Sequence, residues 1–400
     1  MLKFLRKNLH KILLILFTVF FPFLILLKKK NFTFVEIYTE RIGHLALSIE
    51  PLIKDIKEKN NNGEKKKYLI FYNSRINNEF LFKISRRELQ KLANVQILKG
   101  YFFWKYINLS YEFFTKKDDL RIKTGGRKNY HIFLKPSKII SLTNQEIAHG
   151  NKIIEKFGMR SDSKWICIHN RDSSYLKTVY PNQDWSYQDF RDFSVDDLKP
   201  AAEYFAQKGY FVLRIGKHTK EPLKSENPKI IDYSNSNYRS DFMDIFLLSK
   251  CNFYFGSPSG IVNAALLFRK PLFVVNMVPI EAIFSYKRRE PCLFMRLLDK
   301  KNNKILSIRE MIDKDITHFF RTSDYLKNQI KPINNSKEEI LEFAEEAEKR
   351  INNNWEKKDD KDFKNLSEQF SNEIKKNSII QEMFYDNLIG YEFLKKTKLT

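Results

Sequence analysis

The amino-acid sequence predicts an α/β protein: two successive doubly wound domains, with an apolar N-terminal helix before them and a charged helical tail after. Three observations predict it. Short runs rich in Val, Ile, Phe and Tyr alternate with helix-period segments, the pattern of βαβ units on a parallel sheet. The alternation occurs twice within 400 residues, of which 42% are hydrophobic, enough to bury two cores. Near the start, the uncharged run Ile12 to Leu27 stands between two clusters of basic residues.

That run is preceded by Lys3, Arg6, Lys7 and Lys11 and followed by Lys28, Lys29 and Lys30. It is shorter than the roughly twenty residues of a spanning helix, and Pro22 would kink it. Charge on both flanks sets no orientation, and no small-x-small cleavage site follows. Residues 1–30 are therefore expected to be a membrane anchor, either spanning or dipping into one leaflet.

Residues 31–145 form the first expected domain. "FTFVEIY" (32–38) reads as a strand and "RIGHLALSIEPLIKDIKE" (41–58) as a helix with Leu45, Ile49 and Leu52 on one face. A second strand, "YLIFYN" (68–73), a helix over 77–92 and a third strand, "NVQIL" (94–98), follow. The aromatic stretch from 100 to 140 shows no usable period. The second domain, 146–330, is led by a helix over 144–157 and the strand "KWICIHN" (164–170), with a polar loop to 193. A helix over 194–209, capped by Ser194, precedes the strands "YFVLRIG" and "KIIDYS". The helix "DFMDIFLLSKC" then leads to the strands "NFYFGS" and "PLFVVN", with another helix between them. The tail, 331–400, contains a capping box at Ser336-Lys337-Glu338-Glu339.

The net charge of +23 suits a negatively charged partner: nucleic acid, anionic headgroups or a phosphorylated substrate. The basic residues are spread along the chain and no nucleic-acid module is present, so nucleic acid is not the expected partner. Cys167, Cys251 and Cys292 have no metal or disulfide spacing, and two sit in apolar runs, as in a reducing compartment.

In open parallel sheets ligands bind beyond the carboxyl ends of the strands. The predicted strands deliver a consistent set of residues there: His169, Arg171 and Asp172; Arg214 and Gly216; Tyr238, Arg239 and Asp241; Asn276 and Glu281; and, in the first domain, Gly43 and His44. The turn Gly256-Ser257-Pro258-Ser259-Gly260 lies between a strand and a helix expected to begin near Ser259. Helix amides and the hydroxyls of Ser257 and Ser259 would there cradle an anion, with an arginine fork on its other side. No Walker loop, Gly-x-Gly-x-x-Gly or zinc spacing occurs, Pro258 stands where a Gly-x-Ser-x-Gly elbow needs its serine, and Asp313-Lys314-Asp315 falls in a charged helical segment. What remains is a metal-free site for a phosphorylated ligand.

"RIGHLAL", "IHNRDSSY", "YRSDFMDIFLLSKCNFYFGSPSG" and "FVVNMVPIE", in that order, resemble a family of bacterial glycosyltransferases of surface polysaccharide biosynthesis. These have the GT-B architecture, two Rossmann-like domains facing a cleft. His169-x-Arg171 and the Gly-Ser-x-Ser-Gly turn are also similar to the fucosyltransferase branch, although Asp172 follows Arg171 at once, unlike that pattern. The resemblance covers about 36–285. It implies metal-independent transfer from a nucleotide-sugar held mainly by the second domain, with no other cofactor. A cell-surface glycan or lipid-linked acceptor and a place at the cytoplasmic face of the inner membrane go with it. Arg171 would stabilise the leaving diphosphate, His44 would act as base with Asp172 as runner-up, and Glu281 would bind a ribose hydroxyl. The alternatives are a non-catalytic membrane-tethered glycan- or nucleic-acid-binding protein, or a heptosyl-type or pyruvyl-type transferase on a similar scaffold.

Overall fold

The computed structural model describes residues 2–117, 121–124, 137–280, 290–355, 365, 368, 369, 372 and 389–397. The chain forms two compact units, the first ending at Ser141 and the second running from Leu142 onward.

The first unit opens with helix α1 (Leu2–Leu16), a 3-10 turn (Phe17–Phe20) and α2 (Phe21–Lys29), with Pro22 in the first turn of α2, where its missing N–H leaves no bond unmade. Lys11–Lys29 is long and apolar enough to cross a membrane, and only 11% of it is buried. Strand β1 (Phe32–Ile37), α3 (Ile42–Asn61), β2 (Lys67–Tyr72), α4 (Glu79–Leu89), β3 (Val95–Ile97), α5 (Tyr101–Thr115) and β4 (Arg121–Lys123) follow. The four strands are parallel in the order β3-β2-β1-β4.

Helix α5 corrects the sequence reading, which assigned no order to this region. Its 15 residues are aromatic or apolar almost all round, so no amphipathic period marks it. Its inner side packs Tyr101, Ile107 and Tyr111 with Leu24, Phe34, Leu69 and Phe71 in one core.

The second unit contains α6 (Asn144–Ile154), β5 (Trp165–His169), α7 (Ser174–Val179), α8 (Lys199–Gln207), β6 (Phe211–Arg214), β7 (Ile230–Ile231), α9 (Asp241–Lys250), β8 (Phe253–Gly256), α10 (Val262–Leu267), β9 (Leu272–Met277) and β10 (Cys292–Phe294). Its six strands are parallel in the order β10-β9-β8-β5-β6-β7. Counted within the unit this is 3-2-1-4-5-6, the doubly wound order of dinucleotide-binding sheets. β8 and β9 are buried along their whole length, as strands covered on both faces must be. A small antiparallel sheet follows, in which β11 (Arg296–Asp299) lies between β12 (Lys304–Ile305) and β13 (Ile330–Ile333). Short helices α11 (Ile308–Asp313) and α12 (Thr322–Lys327), then α13 (Lys337–Ile351) and α14 (Tyr391–Thr397), complete the described chain.

The capping box at Ser336 forms as expected. The helix it starts belongs to the second unit's core, because Phe343 of α13 packs 5.8 Å from Phe255 and 5.9 Å from Phe273.

Candidate functional site

The chain leaves β5 on one side toward β6 and β7 and returns on the other as β8, so the β5–β8 boundary is the switch point of the second unit. Strand ends diverge at such a point and leave a crevice for ligands. Here His169 of β5 pairs with Gly256 of β8. Gly256 has φ +146, and a Cβ added to it would lie 2.1 Å from the His169 carbonyl oxygen. Only glycine permits this approach.

Beyond Gly256 the turn is fixed by its own bonds. The Ser257 N–H donates to His169 O at 2.8 Å, its hydroxyl donates to the same oxygen at 3.4 Å, and Tyr254 OH donates to Ser257 O at 2.7 Å. Ser257 is fully buried, so both its donors face the neighbouring strand and not the crevice. The helix begins at Val262 instead of Ser259 and has six residues, a smaller dipole than the sequence suggested. The Ser259 N–H closes onto Ser257 O at 2.9 Å. The Ser259 hydroxyl and Asn263 Oδ1, by contrast, are buried with no hydrogen-bond partner among the described residues. The amides of exposed Gly260 and of Ile261 also make none among them.

Arg171 follows β5 and is only 7% exposed. It donates to Asp192 and, at 3.4 Å, to Gln188 Oε1. Burial first, then the Arg191 cation, push it down to about 9, so it remains charged at neutral pH. Asp172 organises the adjoining loops: Oδ1 accepts from the Ser174 N–H at 2.9 Å and Oδ2 from the Lys220 N–H at 3.1 Å. Arg214 is fully buried beneath them, donating to Asn170 Oδ1 at 3.0 Å and to Glu221 O, 3.6 Å from Asp232 and 3.9 Å from Asp172. Its two terminal nitrogens hold the strand ends together, while its Nε is buried with no hydrogen-bond partner among the described residues. Gly216 sits beside His169, whose Nδ1 would be 3.7 Å from an added Cβ.

His169 Nδ1 lies 2.8 Å from Ile215 O, and a carbonyl only accepts, so the ring carries its proton on Nδ1 and leaves Nε2 as an acceptor. Burial pushes its pKa down to about 4 from an ordinary 6.5. As pH falls, the unfolded chain takes up this proton before the folded one. The stability conferred by the neutral ring is complete above pH 6.5 and is lost between 6.5 and about 4, a total of about 3 kcal/mol. Urea midpoints are expected to fall across that window in the parent and to fall less in His169→Gln; equal falls in both would contradict this.

After β7, Tyr238 is 44% exposed and lies edge-on to Phe157 at 5.3 Å. Arg239 donates to Asp241 Oδ1 at 3.1 Å and to Asp244, while Asp241 also lies 3.7 Å from Lys217 Nζ. Tyr233 OH donates to Asp244 Oδ1 at 2.9 Å, and burial pushes the Asp244 carboxyl up to about 6. Asp244 and Asp192 were absent from the sequence-derived set. Asp244 was detectable there as a lone carboxylate inside the apolar run "FMDIFLL", which demands a buried partner.

Asn276 is buried and clasps Asn335 reciprocally: each N–H donates to the other's Oδ1, at 2.7 and 2.6 Å. Its main-chain and carbonyl groups thus join β9 to the segment before α13. Glu281 lies outside the described residues. No group of three or more His, Cys, Asp or Glu side chains among the described residues is placed to hold a metal ion.

In the first unit the corresponding switch point lies between β1 and β4. Thr39 ties the end of β1 to that of β2, donating its N–H to Asn73 Oδ1 at 3.2 Å and its hydroxyl to Arg75 O at 2.8 Å. Gly43 is buried in the first turn of α3, and His44 follows it with its ring 6.2 Å from Tyr38. Partial burial, then the Arg41 cation, lower the His44 pKa from 6.5, which leaves the ring neutral at pH 7.

No family model matches the chain, and no curated protein matches it. Among solved structures it is similar to the glycosyl transferase family 9 protein from Veillonella parvula DSM 2008, with 11% identity, a TM-score of 0.45, and coverage of 79% of this chain and 96% of that one. It is also similar to the dodecameric iron-containing heptosyltransferase TibC, solved in complex with ADP-D-beta-D-heptose. There the identity is 10% and the TM-score 0.29, over 62% of this chain and 59% of that one. At such identities the site's own chemistry has to carry the function.

Proposed function

We propose that the protein is a metal-independent glycosyltransferase, moving a sugar from a nucleotide-sugar donor to a cell-surface glycan or lipid-linked acceptor. Residues 1–30 would hold it at the cytoplasmic face of the inner membrane. The observation that carries this reading is the chemistry at the second unit's switch point. A buried, charged Arg171 follows one strand there, and a Ser259 hydroxyl and two amides that have no partner among the described residues follow its neighbour. These groups suit the oxygens of a diphosphate.

In the proposed reaction the acceptor oxygen attacks the anomeric carbon, and the bond from that carbon to the diphosphate oxygen breaks with its electron pair. Arg171, the Ser259 hydroxyl and the amides of Gly260 and Ile261 stabilise the charge that develops on the diphosphate. The acceptor proton goes to His44, which is neutral and able to take it. Tyr238 offers an exposed ring to the nucleoside base. Arg239, Asp241, Arg214 and Asn276 keep supporting roles, since each is engaged within the fold.

The second reading, a non-catalytic glycan-binding protein, is favoured by one observation: Arg171 and Arg239 are both already paired with carboxylates. Transfer of label from a panel of nucleotide-sugars into a lipid-linked glycan extract, in EDTA, separates the two. The enzyme reading expects transfer from one donor class. It also expects His44→Ala to lower kcat by roughly 10²- to 10⁴-fold with little change in donor KM. Donor binding without transfer would favour the binding protein, and full activity of His44→Ala would remove the base assignment.

A further inference from the structure

We propose that α5 is a second lipid-contacting element, forming with α1 and α2 one surface that seats the first unit side-on in an anionic bilayer. The proposal rests on the membrane-anchor reading of residues 1–30 and goes beyond it.

The anchor segment is not a free tether. Phe17 stacks on Tyr106 at 5.8 Å, Phe20 meets Phe103 edge-on at 5.2 Å and Phe21 stacks on Tyr111 at 6.0 Å. The buried Ser110 hydroxyl donates to Leu14 O at 2.8 Å, close to where the helix tightens into its 3-10 turn. Lys28 Nζ donates to Tyr111 OH at 3.1 Å. These contacts span α5 from Phe103 to Tyr111, so whatever covers one element also covers the edge of the other.

The outer side of α5 is apolar and uncovered. Phe102 is 63% exposed, Phe113 50% and Phe114 49%. Phe102 and Phe113 lie about three helical turns apart and therefore share a face. Ile12, Ile15 and Val19 of the neighbouring segment are each more than half exposed. Aromatic side chains this exposed, continuous with a run apolar enough to cross a membrane, match the buried face of an interfacial helix.

The charge around this surface selects the lipid. Residues 2–30 contain no acidic side chain, and lysines 28–30 end the segment. Across α5 and its flanks, Lys99, Lys105, Lys116 and Lys117 stand against Glu112, with Asp118 and Asp119 next in the sequence, so the basic excess lies on the anchor segment and on the lysines bordering α5. Lys116 Nζ lies 4.6 Å from the Phe113 ring centre, so a cation borders the exposed aromatic edge, as at a headgroup boundary.

The test uses full-length protein and vesicles of phosphatidylglycerol and phosphatidylethanolamine. Cys167, Cys251 and Cys292 are buried, so an environment-sensitive fluorophore can be directed to Phe113→Cys or, separately, to Ile15→Cys. A blue shift from both labels, quenched by brominated lipid, is the expected result. A shift at position 15 without one at 113 would overturn the proposal while leaving the anchor intact. No shift at either would overturn both. In the pair Phe113→Glu and Phe114→Glu, both at exposed positions, a fluorophore at Phe102→Cys is expected to lose its quenching by brominated lipid while the anchor keeps the protein on the vesicle. Undiminished quenching in that variant would also overturn it.

Discussion

Gly256→Ala is expected to unfold the second unit. The added methyl would lie 2.1 Å from the His169 carbonyl oxygen and 2.9 Å from its carbonyl carbon and nitrogen, all backbone, with no flexible side chain to yield. Relief requires β8 to move away from β5 at the middle of a six-stranded sheet, breaking the Ser257 N–H to His169 O bond. A left-handed φ adds roughly 1–3 kcal/mol of strain, and the total should exceed about 4 kcal/mol, comparable to a domain's whole stability. Gly209→Ala is the control, because its φ is +93 but nothing lies within 4 Å of an added Cβ. It should cost only the backbone strain. Urea melts followed by circular dichroism decide the matter; equal losses in the two variants would show that the close approach at the switch point is not what requires glycine.

Arg171→Ala is the second large effect. Removing this guanidinium leaves the Asp192 carboxylate, whose side chain is 23% exposed, without its cation. Because that carboxylate is partly wet, the stability loss should be roughly 2 kcal/mol, below the cost of orphaning a fully buried charge. Binding of a nucleoside diphosphate should weaken far more, by roughly a hundredfold, since a charge-assisted fork to phosphate is lost. Arg171→Lys should recover much of the stability but little of the affinity, because an ammonium cannot reproduce the fork. Titration of both variants checks this; parallel losses of stability and affinity would make Arg171 a structural residue alone.

Strand positions were readable in the sequence because fully buried strands are unbroken apolar runs, as in "WICIH" and "FVVN". The sixth strand, Cys292–Phe294, has only three residues within the short apolar run Cys292 to Met295, too little to separate a strand from a buried loop. Helix α5 escaped because a helix that is apolar all round has no period to detect. At the site, sequence places a residue after a strand but does not say which way its side chain turns. Arg171 finds Asp192 in a loop 21 positions on, and Asn276 finds Asn335 59 positions on. Ser257 and Ser259 are two residues apart in one turn, yet the first is locked to His169 O and the second has no partner among the described residues. That difference comes from the strained geometry at Gly256, which composition does not encode.

The central claim is that the crevice between β5 and β8 binds a nucleoside diphosphate. The most direct measurement is calorimetric titration of nucleoside diphosphates into full-length protein in EDTA, with Ser259→Ala alongside. That variant removes a buried hydroxyl lacking a partner among the described residues, so its melting temperature should be unchanged or higher. The account predicts that one nucleoside diphosphate binds the parent and binds the variant several-fold more weakly. Equal affinity for both proteins, or no binding to the parent, would contradict it.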